Sequence, residues 1–314
     1  MPRPGYRGAV QQQTAASPAS ADARVETFRR APAPALQGLV HSYTDYLLEN
    51  VTPGIHRGLP SRHLTLVIPL DGPLELASMP DPRQAGGRFD ALVGGLHRSP
   101  VHITMTRRSA GVQLALTPAG CRTLLGLPAG ELASWVVDLR DVLGPGALTL
   151  RDRLVEARSP RHRFALLDDT LTRLCDARRR TPRPEVDWAW QRLVDGHGQV
   201  RVDRLAGDVG WSRRHMTERF RREYGLSPKV FARVLRFEDS VRLLTGARPR
   251  LSHVAAACGF ADQAHMAREW RDLAGCPPSL WLAEEGGYRE DTEPATAPRA
   301  GPDDGGAALS FVQA

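Results

Sequence analysis

Residues 202–231 read VDRLAGDVGWSRRHMTERFRREYGLSPKVF, and residues 251–281 read LSHVAAACGFADQAHMAREWRDLAGCPPSLW. The second stretch repeats the first. Up to a shared glycine the offset is 49, pairing Leu205 with Val254, Ala206 with Ala255, Gly210 with Gly259 and Trp211 with Phe260. One extra residue then makes the offset 50, pairing Met216 with Met266, Phe220 with Trp270, Gly225 with Gly275, Pro228 with Pro278 and Phe231 with Trp281. Matching of this kind marks an internal duplication, and what matches is the set of positions that would face a core. Each copy has the order short helix, glycine, longer helix. Gly210 and Gly259 suit the turn because glycine takes positive φ without strain. In the longer helix of copy one, Met216 and Phe220 face inward, leaving Arg214, Thr217, Glu218 and Arg221 outward. In copy two Met266, Trp270 and Leu273 face inward, and Gln263, Ala264, Ala267, Arg268 and Arg271 face outward. The inward faces agree and the outward faces differ, as two units reading different parts of one asymmetric DNA site require.

Between the copies, residues 228–245 (PKVFARVLRFEDSVRLLT) carry Val230, Val234, Leu235, Val241 and Leu244 with no internal proline or glycine. This reads as a helix of ~18 residues, ~27 Å long at 1.5 Å per residue. Successive major grooves on one face of B-DNA lie ~34 Å apart, so such a connector can hold two recognition helices in adjacent grooves. The stretch VAAACGFADQAHMAREWRDLAGCPPSLW closely resembles the signature of the AraC/XylS-type transcriptional regulators, whose DNA-binding domain is two helix-turn-helix units joined by a long helix. The spacing holds in both copies. Two positions depart from the family pattern: Glu218 stands where a basic or amide residue is common, and His265-Met266 where Tyr-Phe is frequent. Carried over position by position, the resemblance implies base contacts from Arg214, Thr217 and Glu218 in the first unit and from Gln263, Ala264 and Arg268 in the second. It implies phosphate contacts from Ser212, Arg213, Arg221 and Arg271.

The net charge of +7 comes from 42 basic residues, of which only Lys229 is lysine. With 25 prolines, that bias reflects a GC-rich coding sequence as much as a polyanionic partner, so distribution is more telling than total. Within residues 211–222 five arginines (213, 214, 219, 221 and 222) stand beside one acid, Glu218. That excess falls on the first recognition helix and favours double-stranded DNA as partner. The hydrophobic content of 41% is enough for globular cores. No run approaches 18 apolar residues, and the first 23 residues lack the apolar core of a signal peptide. A cytoplasmic chain with no membrane contact and four reduced, packed cysteines (Cys121, Cys175, Cys258, Cys276) is expected.

From Arg24 the pattern becomes short strands: VETF, a short helix around Pro34, then SYTDYLL, HLTLVIPL, LELA, FDALVGGL, VHITMTR and VQLALTP. Strict alternation in HITMT and VQLAL predicts a small β-barrel or sandwich. After Cys121 the period turns helical: CRTLLG, PAGELASW, LRDVLG, ALTLRDRLVEAR and RHRFALLDDTLTRLCDARRR. The expectation is an α+β chain with a disordered tail at 1–22, a β-rich domain with trailing helices at 23–180, a linker at 181–186, an all-helical domain at 187–283 and a disordered acidic tail at 284–314. The family resemblance implies that the first domain is a sensor for a small-molecule effector and forms a homodimer, and that an activator would also meet RNA polymerase. Trp135 and the histidines His41, His56, His63, His97 and His102 are the conspicuous candidates for a pocket.

No His-Glu-x-x-His, Cys-x-x-Cys, phosphate loop or nucleophile elbow is present, and no catalytic residue, metal ligand or cofactor is assigned. Asp168-Asp169 is a carboxylate pair whose members diverge on one helix, which general acid–base chemistry does not suit. Two alternatives stay open. One is a DNA-repair alkyl transferase joined to an AraC-type domain, which would need an activated cysteine. The other is a protein that coats DNA without sequence preference, which would show two similar basic outer faces.

Overall fold

Alternation with a period of two builds the N-terminal half. The computed structural model describes residues 23–177, 184–246 and 250–286. The tail expected at 1–22 and linker residues 181–183 lie outside the described residues; of the tail expected at 284–314, residues 284–286 instead finish the last helix, Pro278–Gly286, and the rest lies outside the described residues. The strands are β1 (Arg24–Arg30), β2 (Val40–Glu49), β3 (Gly54–Gly58), β4 (Leu64–Pro69), β5 (Leu74–Ser78), β6 (Gly87–Phe89), β7 (Leu92–Gly94), β8 (Val101–Met105), β9 (Arg108–Leu116) and β10 (Val136–Asp138). They form two antiparallel sheets, ordered β1-β2-β9-β4-β7-β10 and β3-β8-β5-β6. The sheets face each other as a sandwich and do not close into a barrel.

The central strands β4 and β9 of the larger sheet serve two layers. On β4, Leu64, Leu66 and Ile68 enter the main core while Thr65 and Val67 look toward the smaller sheet. On β9, Val112, Leu114 and Leu116 enter the core and Gln113 looks the other way. The helical layer behind comprises α1 (Pro118–Gly120), which runs into a π-helical turn at Cys121–Leu125, then α2 (Leu139–Leu143), α3 (Gly146–Glu156) and α4 (Pro160–Ala177). Phe164, Leu167 and Leu171 on α4 are buried in that core. The acids of this helix have structural partners. Asp168 accepts hydrogen bonds from the Ala33 backbone N–H at 2.9 Å and the Tyr43 hydroxyl at 3.0 Å and pairs with Arg30, whereas Asp169 pairs with Arg173 at 2.6 Å.

Two stretches differ from the sequence expectation. PAGELASW was expected to be helical, but only a 3₁₀ turn forms at Ala129–Leu132; the β-branched Val136 and Val137 that follow pair with Gly94 and Val93 as an edge strand. Pro184, expected within a helix-breaking linker, starts α5 (Pro184–Asp195). A proline in the first turn of a helix loses no hydrogen bond, so the same residue that ends one helix can open the next. The C-terminal half continues with α6 (Val202–Asp208), α7 (Arg213–Tyr224), α8 (Pro228–Leu244), α9 (Leu251–Ala257), α10 (Gln263–Ala274) and α11 (Pro278–Gly286).

Candidate nucleic-acid interface

The duplication is repeated bond for bond. α6 and α9 end on a tight turn in which Trp211 N–H donates to the Ala206 carbonyl at 2.8 Å and Phe260 N–H to the Ala255 carbonyl at 2.9 Å. Gly210 and Gly259 occupy this turn at φ 69° and 72°. The side chains of Ser212 and Asp262 cap α7 and α10, accepting from the backbone N–H groups of His215 and His265 at 3.2 and 2.6 Å. Met216, Phe220, Met266 and Trp270 are all completely buried. Trp190 on α5 stacks on Phe231 at 3.8 Å and lies beside Tyr224 at 4.4 Å, closing the first unit. Phe237 and Trp281 flank Trp270 at 4.8 and 5.3 Å in the second, and the Trp270 indole donates to Ser240 Oγ at 2.9 Å. The connector α8 therefore supplies core to both units. Its 17 residues span ~26 Å.

The outward positions stand free of this core. Arg214, Glu218, Arg213 and Arg221 on α7 and Gln263, Ala264, Arg268 and Arg271 on α10 are exposed. Thr217 is half-buried, and its hydroxyl donates to the Arg213 carbonyl of its own helix at 2.8 Å. Ser212 spends its hydroxyl on the cap. Two of the basic side chains meet acids: Arg214 pairs with Glu218 at 3.3 Å one turn along α7, and Arg213 with Asp203 on α6 at 3.5 Å. These pairs are solvent-exposed and worth under ~1 kcal/mol, so a phosphate or base edge can replace them.

Compared with known sequences, residues 205–284 match the model of the helix-turn-helix domain family. This segment is an AraC-type helix-turn-helix domain. A domain of this kind supports DNA binding by this segment. No curated protein matches the sequence. Among solved structures the chain is similar to ToxT from Vibrio cholerae O395, at 11% identity over 83% of this chain and 97% of that one, with a TM-score of 0.46. It is similar to the DNA-binding domain of AdpA in complex with a target DNA, at 25% identity over 34% of this chain and 98% of that one (TM-score 0.32), and to the AraC-like transcriptional activator CuxR, at 16% identity over 62% and 79% (TM-score 0.24).

The AraC-type domain is docked on the N-terminal half through ion pairs that the sequence did not reveal. Arg62 meets Glu238 of α8 at 2.5 Å, Arg122 meets Glu223 of α7 at 2.5 Å, and Arg57 meets Glu284 of α11. In each the cation belongs to the N-terminal half and the anion to the C-terminal half. Burial pushes the Glu238 carboxyl up, and the Arg62 guanidinium pulls it back toward ionisation. The turn at Ala129–Leu132 lies against the end of α7, where a Cβ on Gly225 would come within 1.9 Å of the Ala133 Cβ.

The histidines singled out from sequence fall in different places. His41 and His63 stack at 4.4 Å beside a cleft of about 540 Å³ between the halves, lined from the other side by Trp190, His197 and Tyr224. His56 and His97 line a second cavity between the two sheets. His102 is half-buried with its Nδ1 2.6 Å from Ser78 Oγ, and Trp135 is exposed and lines neither space. Cys121 and Cys258 are buried, and burial pushes both thiols up to about 12, the wrong direction for a nucleophile. Among the described residues no three His, Cys, Asp or Glu side chains gather to hold a metal ion, and no helix is long and apolar enough to cross a membrane.

Proposed function

We propose that this regulator is sequence-specific, with its two helix-turn-helix units reading adjacent major grooves of one asymmetric site and its activity set through the N-terminal half. Arg214, Thr217 and Glu218 on α7, and Gln263, Ala264 and Arg268 on α10, would meet base edges. Arginine binds guanine O6 and N7 in bidentate fashion, glutamine does the same to adenine, glutamate accepts from cytosine N4, and alanine packs on a thymine methyl. Arg213, Arg221 and Arg271 would meet phosphates, joined at the start of α7 by backbone N–H groups beside Ser212. The observation that carries this reading is the pairing of equal, buried inner faces with unequal, exposed outer faces in the two units.

The N-terminal half, taken as 23–180 and joined through 181–186 to the domain at 187–283, is proposed to take a small-molecule effector and to form a homodimer. In an activator, RNA polymerase would be a further partner. Selection by the full chain from a pool of random duplexes tests the central point. The expected product is one asymmetric motif with two preferred segments about one helical turn, ~10 base pairs, apart. Retention of the pool without enrichment, governed by salt alone, would return the reading to a DNA-coating protein.

A further inference from the structure

The two recognition helices are copies of one element, yet different partners hold them. At the offset of 50, Arg219, Arg222 and Glu223 of α7 correspond to Glu269, Asp272 and Leu273 of α10. On α10 the two acids meet the connector: Arg233 of α8 donates to Glu269 at 2.6 Å and to Asp272 at 2.9 Å. A connector arginine cannot grip α7 in this way, because α7 carries arginines at both equivalent positions.

The tie on α7 comes from the N-terminal half. The Arg122 guanidinium donates from Nε to Glu223 Oε1 at 2.9 Å and from Nη2 to both carboxylate oxygens at 2.6 and 2.5 Å. A forked charged contact of this kind fixes direction as well as distance. Both side chains are largely buried, with 18% and 15% of their surface exposed. Arg122 is itself anchored, since Cys121, Leu124 and Leu125 of the same π-helical turn are buried in the main core. Beside the pair, the Ala129–Leu132 turn meets the end of α7 so closely that a Cβ on Gly130 would lie 2.5 Å from the Arg222 carbonyl oxygen. The end of α10 has no such seat. A Cβ on its equivalent glycine, Gly275, would make only ordinary contact with Pro100 at 3.5 Å, and the Arg57–Glu284 pair lies on α11.

The helix-turn-helix fold needs no acid at Glu223. Leu273 fills the equivalent place in the second unit and is buried. Glu223 therefore answers Arg122 and not the core of its own unit. It stands nine residues along α7 from Arg214, about 14 Å at 1.5 Å per residue. A tilt of roughly 5° pivoting there displaces a reading side chain by about 1 Å, more than the ~0.5 Å range over which a hydrogen bond holds.

We propose that Arg122 is a positioning residue for the first recognition helix alone: through Glu223 the N-terminal half sets the tilt of α7, while the connector sets α10 through Arg233. A change of state in the N-terminal half then reaches one segment of the DNA site and leaves the other as it was. The proposal rests on the reading of the two units as facing separate segments and of the N-terminal half as the regulating half.

Arg122→Met, Glu223→Leu and Arg233→Met in the full chain separate the two ties. Glu223→Leu installs the residue that the second copy already uses at this place. Hydrogen exchange of the free protein should rise severalfold across 213–224 in the first two variants, with 263–274 unchanged, and the reverse is expected in Arg233→Met. The exchanged pair Arg122→Glu/Glu223→Arg should restore protection of α7. In selection from random duplexes, Glu223→Leu should lower discrimination about fivefold or more in the segment that Glu218→Ala relaxes, leaving intact the segment that Arg268→Ala relaxes. Unchanged exchange in α7, an equal rise in both helices, or discrimination lost in the second segment or in both would overturn the proposal. If the unaltered chain enriches no motif while α7 alone loosens, the positioning role stands and the sequence-specific reading falls.

Discussion

At the scale of single residues, the structure shows which polar side chains serve the fold. Ser212 and Asp262 cap helices, Thr217 bonds its own helix, and Asp168 ties α4 to β2, so none of these oxygens is idle before DNA arrives. His97 gives a measurable consequence. Its imidazole is pushed from 6.5 down to about 4 by burial. In the unfolded chain the ring takes a proton near pH 6.5, but in the fold it resists until about 4, so its contribution to stability is complete above pH 6.5 and lost as pH falls toward 4. The loss amounts to about 3 kcal/mol for a shift of this size. His41 and His63 are pushed the same way, so the wild type should be markedly acid-sensitive in this window. Urea unfolding at pH 7 and pH 4.5 should show a smaller drop for His97→Gln, which keeps a donor for the Ser99 carbonyl. Equal drops would mean that His97 is not held neutral by the fold.

At the scale of elements, glycines of similar conformation differ in what surrounds them. Gly210 in the first turn has φ 69° and no neighbour within 4 Å of an added Cβ, so Gly210→Ala should cost only the backbone penalty of ~1–2 kcal/mol. Gly225, at the end of α7, has φ 77° and the Ala133 Cβ 1.9 Å from the added carbon. Gly225→Ala must add overpacking to the same penalty, for a total of ~3–5 kcal/mol. Chemical denaturation of the two variants checks this. Equal costs would show that α7 is not pressed against the Ala129–Leu132 turn. Elements built on their own periodicity were legible from the chain: α6 to α11 announce themselves through duplicated spacing, caps and terminal glycines. The short strands β3 and β10 were not legible. GIHRG has one apolar residue between glycines, and WVVD continues a segment whose apolar spacing suits a helix equally well. Pairing with β8 and β7, more than 40 residues distant in each case, decides their state.

At the scale of the whole molecule, the relation between the halves was hidden because it rests on pairs separated by 101 to 227 residues. One signal did exist. Glu238 and Asp239 interrupt an otherwise buried face of α8, and buried carboxylates need cations from somewhere. Arg62 of the N-terminal half supplies the cation for Glu238 at 2.5 Å, whereas Asp239 is met chiefly within its own half, by His197 at 2.8 Å and Arg242 at 3.4 Å. Arg214, Glu218, Gln263, Ala264 and Arg268 are exposed in this docked arrangement.

Whether the two units read separate parts of one site is the central claim, and Arg268 and Glu218 occupy equivalent positions in the two copies. Arginine suits guanine O6 and N7 and glutamate suits cytosine N4, so the two equivalent positions are fitted to different base edges. Selection of bound sequences from a random pool, run in parallel with Arg268→Ala and Glu218→Ala, tests the claim most directly. Arg268→Ala should cost ~1–3 kcal/mol on the specific site and relax one or two adjacent base pairs. Glu218→Ala should relax a different position about one helical turn away and leave non-specific binding no weaker, since it removes a negative charge near the phosphates and frees Arg214. Loss of the same base pair in both variants, or of none in either, would contradict the account.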